Sequence, residues 1–393
     1  MSDLSESDLA DLRTALRSVL EDASSEDAVR ATMATDHGID LGLWATLVDG
    51  FDLPGLAVPE SLGGVEAGWA AQRVVLEELG RSLACVPAVS VVGLAIPALL
   101  AGDEDACAAF LPGILAGQLI ATAALLGSDP VPACQVTAER VGDGWSLSGS
   151  VPHVLDGQVA DLVLLLARHT GGLALFALET AGDGVEIQAR ATSDLTRRIA
   201  GLSLAGAAGR LVGNPDGGAA IAAAVRPRAL LALACEQTGG AQAALDQAVA
   251  YAGQRVQFGR AIGSFQAVKH KLADLLIGVE ECRSATWATA RALDSGEGDL
   301  EVLATATAAV CGSTYATAAS GNVQVHGGIG YTWEHPAHLH VKRSRGAAAL
   351  LGTTAEHRAC LARLLPLLTD AQSQSPEPSV DRARERAPEG ALP

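Results

Sequence analysis

Apolar residues recur every three to four positions over the first part of the chain, from Leu4 to about Leu119. Leu9, Leu12 and Leu16 show this spacing, which places an apolar stripe on one face of an α-helix. The pattern predicts an amino-terminal all-α domain of about five helices over residues 1–119.

The period changes to two in the middle of the chain. Short segments of this kind lie at 145–149, 162–167 and 173–178, and turns with glycine and aspartate, such as 142–144, separate them. A period of two is typical of β-strands, because successive side chains point to opposite faces of a sheet. The sequence therefore predicts a small antiparallel β-domain over residues 120–215.

Long helical patterns return in the last third, at 228–255, 265–294 and 303–325. Runs of this length joined by short connections predict a carboxy-terminal four-helix-bundle domain over residues 216–370. Helices, then strands, then helices indicate an α+β fold class. Residues 371–393 are rich in Pro, Ser, Glu and Arg and almost free of large apolar side chains, which predicts a disordered tail.

Charge and cysteine usage limit the possible partners and location. A formal net charge of −18 argues against nucleic acid and anionic membranes as general partners. The seven cysteines are spread singly through apolar stretches, which predicts reduced core residues of a cytoplasmic protein. No secretory signal is expected from the acidic amino terminus, and no apolar run of membrane-spanning length is free of Gly, Pro and charge.

Three histidines, His335, His338 and His340, lie close together in the sequence. No cysteine or carboxylate spacing completes a metal site around them, so we expect an ordinary exposed helix and no metal.

The stretch from Tyr251 to Leu275, YAGQRVQFGRAIGSFQAVKHKLADL, begins as a helix, breaks at Phe258-Gly259 and resumes as a helix. An arginine can pair with phosphate, an aromatic ring can stack, and a glycine lets backbone approach a ligand. This break could therefore hold a flat, phosphate-bearing ligand. The residues alone leave a second interpretation open, a helical hairpin with a charged corner.

Within this stretch, R-x-Q-F-G-x-x-I-x-x-F-Q followed by L-A-D resembles the signature of acyl-CoA dehydrogenases, flavoproteins that desaturate acyl thioesters. Three further segments are similar to that family in the same order: L-A-V-P-E at 56–60 with L-E-E-L-G-R at 76–81, Q-V-H-G-G-I-G-Y-T at 324–332, and L-G-T at 351–353. The resemblance extends over roughly residues 40–365. It implies the family's three-domain fold and an FAD held between two subunits.

The resemblance also implies a role for individual residues at the adenosine diphosphate end of FAD. Arg255 would pair with the pyrophosphate, Gln257 would form a hydrogen bond, and Phe258 would pack against the adenine side. Ile262 and Phe265 would line the same pocket.

Two further groups of residues would complete the cofactor site. From the neighbouring subunit, Gln324, Val325, Gly327 and Gly328 would bring backbone against the same end of FAD, although a simple helix stop also explains these glycines. Thr353 and Thr354 would place N–H groups and hydroxyls near the cofactor at the start of the last helix.

The segments that contact the flavin ring in the family differ here. The family's V-T-E-P-G-x-G-S-D loop corresponds to Ala123–Asp129, which lacks Thr-Glu-Pro and is shorter, and the tryptophan of its W-I-T segment corresponds to His153. The isoalloxazine is therefore expected to be bound differently, weakly, or not by this subunit.

The catalytic base is also missing, and we assign no catalytic residue. Most family members carry a glutamate immediately before the closing Gly-Thr, where this chain has Leu351, and a minority carry it where this chain has Ala229. Neither side chain accepts a proton. Glu236, two turns along the same helix from Ala229, is more readily explained as a buried partner of an arginine. Asp129 and Asp156 are further candidates without a positive argument.

Arg197 and Arg198, in D-x-T-R-R, resemble a substrate-side motif of some members and could contact CoA, or form a strand-edge charge pair.

The resemblance implies α,β-desaturation of an acyl-CoA, with FAD as hydride acceptor and an electron-transfer flavoprotein or similar partner as electron acceptor. It favours an oligomer with a related subunit that supplies the base, as in heterotetrameric members. The alternatives are a homotetramer with an unusual base, a non-oxidative enzyme on an acyl thioester, and a flavin-poor scaffold subunit.

Overall fold

A computed structural model describes residues 4–125 and 135–365. The amino-terminal part is helical, as expected, and holds six α-helices instead of about five, because 26–33 form a short helix of their own. An acidic first turn, Glu26 and Asp27, favours a new helix start there. The helices are α1 (Glu6–Ala23), α2 (Glu26–Met33), α3 (Leu41–Phe51), α4 (Gly68–Arg81), α5 (Ile96–Leu100) and α6 (Glu104–Leu115). A π-helical turn, Val89–Ala95, leads directly into α5.

The described residues of the middle part form one seven-stranded sheet. Its strands are β1 (Ala121–Ala124), β2 (Val136–Val141), β3 (Gly144–Leu155), β4 (Leu162–His169), β5 (Gly172–Glu179), β6 (Val185–Ala189) and β7 (Ile199–Val212). The order β1-β4-β2-β3-β7-β5 closes on itself because β5 also pairs with β4, and β6 pairs with β7. Most pairings are antiparallel, as predicted, but β4 runs parallel to both β1 and β2.

The carboxy-terminal part contains α7 (Gly218–Gln254), α8 (Gln266–Ser295), α9 (Leu300–His326), α10 (Ala337–Leu350) and α11 (Thr354–Leu364). Between α7 and α8 lie the two-residue strands β8 (Val256–Gln257) and β9 (Arg260–Ala261). The helices pack along α7 and α9, which agrees with the predicted bundle. The change of secondary structure falls between α6 and β1 and between β7 and α7, while the exact domain bounds stay predictions.

Glycines allow α4 to cross α7 at close range. A Cβ added at Gly239 would lie 1.7 Å from the Glu77 carbonyl oxygen, and one at Gly80 would lie 2.0 Å from that of Glu236. No other residue type fits at this crossing, which fixes the amino-terminal helices on the bundle. The crossing also places Glu236 at the junction of the domains.

Helix α7 and the stretch from Leu300 to Tyr331 are long and apolar enough to cross a bilayer by length and composition alone. Most of each apolar window is buried inside the protein, however, as in core helices. Six cysteines lie in the described residues, and all are free and buried, as predicted. The predicted tail, 371–393, and the last five residues of the predicted bundle domain lie outside the described residues.

Candidate functional site

A cavity of about 700 Å³, here called the large cavity, lies where the sheet, the π-helical turn and α10 meet. Its wall contains two of the positions at which the chain departs from the resembled family, His153 of β3 and Leu351 after α10. Ala123 and Ala124 of β1 also line it. Residues 126–129 of the predicted ring loop lie outside the described residues. The third diverged position, Ala229, is fully buried in α7.

A buried ion-pair network supports one side of the large cavity. Arg343 of α10 donates from Nη1 to Glu236 Oε1 at 2.7 Å, and its Nε lies 3.2 Å from Asp194 Oδ2. Arg197, a cavity-wall residue, pairs with the same Glu236 oxygen. Burial opposes ionisation of Glu236, but the two guanidinium groups hold its pKa below the usual value. The sequence expectation of a Glu236–arginine pair is confirmed.

The large cavity offers no uncommitted carboxylate among the residues that the structure describes. Asp194, the carboxylate of its described wall, accepts hydrogen bonds from Thr196 N at 3.0 Å and Thr196 Oγ1 at 2.5 Å and pairs with Arg343. Leu351 is only 6 % exposed. The side chain at the position where the resembled family carries its base is therefore a buried leucine of the cavity wall, and the catalytic base stays unassigned.

Arg197 and Arg198 serve the fold in different ways. Arg197 is buried against Glu236, and Arg198 Nη2 donates to the carbonyl oxygens of Met33 and Thr35 at 2.9 and 3.0 Å. Arg198 therefore holds the end of α2 on the sheet. Neither forms the simple strand-edge charge pair that the sequence left open, and a contact with CoA stays a prediction.

Asp156, a candidate base for which the sequence provided no positive evidence, lies in a buried polar pair. Its Oδ2 is 2.6 Å from Ser90 Oγ, in the π-helical turn, and Ser90 Oγ is also 2.8 Å from the Pro87 carbonyl oxygen. Burial raises the pKa of Asp156 to about 6. A serine inside the otherwise apolar segment 86–95 is the sequence signal that could have indicated this pair. Asp156 lies beside Leu155 of the cavity wall and is not itself part of that wall.

The predicted break at Phe258-Gly259 is the turn of a protruding β8–β9 hairpin. Phe258 is 93 % exposed and has a φ of 52°, which is unfavourable for a bulky side chain. Its ring meets that of Phe265 edge-on at 6.2 Å, and Arg260 lies 4.0 Å from the Phe265 ring centroid. Arg255 is also exposed. An exposed aromatic ring on strained backbone is typical of a contact surface.

The segment Gln324–Gly328 ends α9 beside the same hairpin. The rings of Tyr251 and His326 lie 4.2 Å apart, so the ends of α7 and α9 are neighbours within one subunit. A Cβ added at Gly327 or Gly328 would meet nothing within 4 Å. Gly327, with a φ of 67°, ends the helix, whereas packing within the subunit gives no reason for Gly328.

Thr353 and Thr354 lie far from the hairpin in one chain. Thr354 packs beside Gly312, which also neighbours Gln237 of α7, and the eighteen residues from Gln237 to Arg255 span about 27 Å of helix. The two donors of Thr353 that were expected to face a cofactor are already used: Thr353 N and Oγ1 donate to Glu356 Oε2 at 2.7 and 2.8 Å. A cofactor oxygen at Thr353 would have to replace Glu356.

The histidines do not lie on an ordinary exposed helix, and that expectation was wrong. His340 is buried, with Nδ1 3.1 Å from the Tyr315 hydroxyl, and burial lowers the pKa of His340 to about 3. His338 stacks on Trp333 at 4.9 Å, and His335 lies against His326. The described residues contain no group of three or more metal-ligating side chains in a suitable arrangement.

Comparisons with known proteins identify the family. Residues 6–118 match the acyl-CoA dehydrogenase N-terminal domain, and residues 218–365 match the acyl-CoA dehydrogenase C-terminal domain. The acyl-CoA dehydrogenase IpdE2 of Mycobacterium tuberculosis is 34 % identical over 345 residues, covering 88 % of this chain and 93 % of that protein. The chain belongs to the acyl-CoA dehydrogenase family.

Solved structures agree with this membership. The ChsE4-ChsE5 complex from Mycobacterium tuberculosis matches with a TM-score of 0.84 and 29 % identity, covering 94 % of this chain and 100 % of that chain. The Tcur3481-Tcur3483 steroid ACAD matches with a TM-score of 0.82 and 30 % identity, covering 91 % and 97 %. The predicted fold class and the predicted enzyme class, oxidoreductases acting on CH–CH groups, are confirmed at the level of the family.

Proposed function

We propose that the chain is one subunit of an acyl-CoA dehydrogenase that desaturates an acyl-CoA thioester between its α and β carbons, with a related subunit supplying the catalytic base. The observation that carries this proposal is the wall of the large cavity. Leu351 occupies the base position, and the described wall carboxylate, Asp194, is held by Arg343 and Thr196. Two of the similar solved structures, ChsE4-ChsE5 and Tcur3481-Tcur3483, are named as pairs of proteins, which supports a heteromer.

The residues of the hairpin fit the adenosine diphosphate end of FAD. Arg255 and Phe258 are exposed, and the side of Gly327 and Gly328 is open, so a phosphate and an adenine could approach without displacing packed groups. Gln257, Ile262 and Phe265 of the same chain would complete this end of the site, together with Gln324 and Val325 of the neighbouring subunit. FAD, when bound, supplies the acceptor for the hydride that leaves the β carbon.

The residues of this chain would mainly bind the acyl group and keep water out of the site. They would not transfer the proton. The large cavity, of about 700 Å³, is a suitable size for a drug-sized ligand or a bulky acyl group, and its wall is mostly apolar or small side chains. The Tcur3481-Tcur3483 protein is named a steroid ACAD, which supports a bulky, polycyclic acyl group. An electron-transfer flavoprotein or similar partner would then take the electrons.

Installing the missing base tests this proposal. Leu351→Glu should place a carboxylate in the large cavity, and anaerobic mixing of the FAD-loaded variant with an acyl-CoA should bleach the flavin absorbance within one turnover. Leu350→Glu, one residue earlier on the same wall, is the matched control and should stay unreactive. Co-expression with a homologue that carries glutamate before Gly-Thr should give a complex in which the unmutated chain becomes active. Full activity of the unmutated chain alone would contradict the proposal.

Arg255→Ala tests the cofactor part separately. Removing the guanidinium should lower the flavin retained after gel filtration, because the pyrophosphate loses its charged partner. The control is Arg140→Ala, which removes an exposed arginine of β2 and should leave the retained flavin unchanged. Unchanged flavin in both variants would show that the hairpin has a structural role.

A flavin-poor scaffold subunit is the second candidate, and one observation favours it. Thr353 gives both of its donors to Glu356 instead of leaving them for a cofactor. A purified complex that is colourless and does not take up added FAD would support this candidate.

A further inference from the structure

A second cavity, of about 320 Å³, lies in the amino-terminal part of the protein between α4, α5 and the start of α7. None of the residues that line it also lines the large cavity. Gly93 of the π-helical turn packs closely on α7 between the two cavities, since a Cβ added at Gly93 would lie 2.8 Å from Ala232 Cβ. We call it the amino-terminal cavity.

A buried amide lies at this cavity. Gln72 of α4 is 0 % exposed, lines the cavity, and neither its Oε1 nor its Nε2 has a hydrogen-bond partner among the described residues. A buried amide without partners destabilises a protein, and an apolar side chain of similar shape would avoid that cost. Packing within the described chain therefore gives no reason for a glutamine at this position.

An arginine lies at the same cavity. Arg228 of α7 donates from Nη1 to the Ala224 carbonyl oxygen at 2.8 Å, and no ion pair with it is present in the described part of the chain. It is half-buried, and burial lowers its pKa. A half-buried guanidinium attracts an acceptor oxygen more strongly than a fully exposed one, because less water competes for it.

Neither carboxylate of the cavity wall forms an ion pair with Arg228 in the described part of the chain. Asp294 accepts hydrogen bonds from Trp69 N at 2.6 Å and Ala70 N at 3.0 Å, so it caps the start of α4. Glu66 is exposed, and its Oε2 accepts from Glu60 N at 3.3 Å. The other walls are mainly apolar, with Val58, Val92, Ile96 and Leu293 among them.

We propose that the amino-terminal cavity binds a small apolar molecule, of the size of one or two rings, that ends in an acceptor oxygen. Gln72 and Arg228 would bind that oxygen, and the aliphatic walls would bury the hydrocarbon part. A cavity of about 300 Å³ or more with apolar walls and a few converging polar groups is the usual form of a small-molecule site. The oxygen can belong to a carboxylate or to a ketone, and the two differ in how much they depend on Arg228.

Calorimetric titration with cyclohexanecarboxylate and with cyclohexanone tests the site in the full-length protein, without flavin or acyl-CoA. We expect at least one probe to bind with a Kd in the millimolar range, which corresponds to about −4 kcal/mol. Gln72→Leu should weaken that binding more than tenfold and raise Tm by about 2–4 °C, since an unsatisfied amide is removed. A purely structural glutamine would show the opposite change in Tm.

Arg228→Gln separates the two ligand classes. If the ligand is a carboxylate, this variant weakens the binding of cyclohexanecarboxylate more than tenfold and leaves the binding of cyclohexanone unchanged. If the ligand is a ketone, Gln72→Leu has the larger effect on binding. The control is Arg345→Gln, which changes an exposed arginine of the large cavity and should leave the affinities for both probes unchanged. Absence of binding by both probes, or binding that Gln72→Leu and Arg228→Gln leave unchanged, would overturn the proposal. Should Gln72→Leu fail to fold, Gln72→Met, an apolar side chain of similar length, takes its place in both titrations.

Discussion

The β8–β9 hairpin and the ion-pair network beside the large cavity both use arginines, but in opposite environments. Arg255 and Phe258 of the hairpin are exposed and bury little within the subunit, whereas Arg343 is 3 % exposed and contacts Glu236, Asp194 and Thr196. The hairpin is therefore available to a partner or cofactor, and the network is committed to the fold. The contrast shows that burial separates an arginine that stabilises the fold from one that is left for a ligand.

Removing the centre of the network should have the largest effect on stability. Arg343→Leu would leave Glu236 and Asp194 buried without this cation, so we expect the free energy of unfolding to fall by about 3–5 kcal/mol in urea denaturation. Arg345→Leu, two residues later and exposed, should change it by less than about 0.5 kcal/mol. Equal effects of the two variants would show that the network does not carry the stability assigned to it.

Asp156 should make stability depend on pH. Its native pKa, raised by burial from 3.8 to about 6, means that the folded state holds the proton more tightly than the unfolded state. The stability that the protonated Asp156 carboxyl contributes to the folded state is fully present below about pH 3.8 and is lost as the pH rises through about 6. Asp156→Asn, which stays uncharged, should therefore gain about 2 kcal/mol relative to the unmutated chain between pH 4.5 and pH 7.5.

Unfolding free energies at these two pH values check this prediction. Asp143→Asn, in an exposed turn, is the control, and its difference from the unmutated chain should stay constant. A constant difference for Asp156→Asn as well would mean that burial does not raise the pKa of Asp156.

Much of the fold could be predicted from the sequence because periodicity reports local structure. The changes of period located the sheet, and the motif at 251–275 located the hairpin. Periodicity cannot report contacts between distant residues, so it missed the meeting of Arg343 with Asp194 and Asp156 with Ser90. It also does not indicate strand direction, because parallel and antiparallel strands share the same period, and the parallel pairings of β4 were therefore missed. His340 was misjudged because burial against Tyr315 depends on how α10 packs on α9.

A smaller loss of stability is expected at the start of α11. Thr353→Ala removes the hydroxyl that accepts from Glu356 N at 3.3 Å, and loss of an N-cap of this kind costs about 1 kcal/mol. Thr353→Ser keeps the hydroxyl and should stay within about 0.5 kcal/mol of the unmutated chain. If Thr353 acts only as a cap, flavin content stays unchanged in both variants; a loss of flavin in the alanine variant alone would assign it to the cofactor site.

The smallest effect on stability, and the sharpest separation of the two regions, is expected at the tip of the hairpin. Phe258→Ala removes a ring that is 93 % exposed and contacts Phe265 only edge-on, so the free energy of unfolding should change by less than about 0.5 kcal/mol. Flavin retained after gel filtration should nevertheless fall, because the adenine loses its packing partner. Trp287→Ala, an exposed aromatic on α8, is the control for general loss of surface aromatics. A clear loss of stability together with unchanged flavin would reverse the assignment and make the hairpin part of the fold.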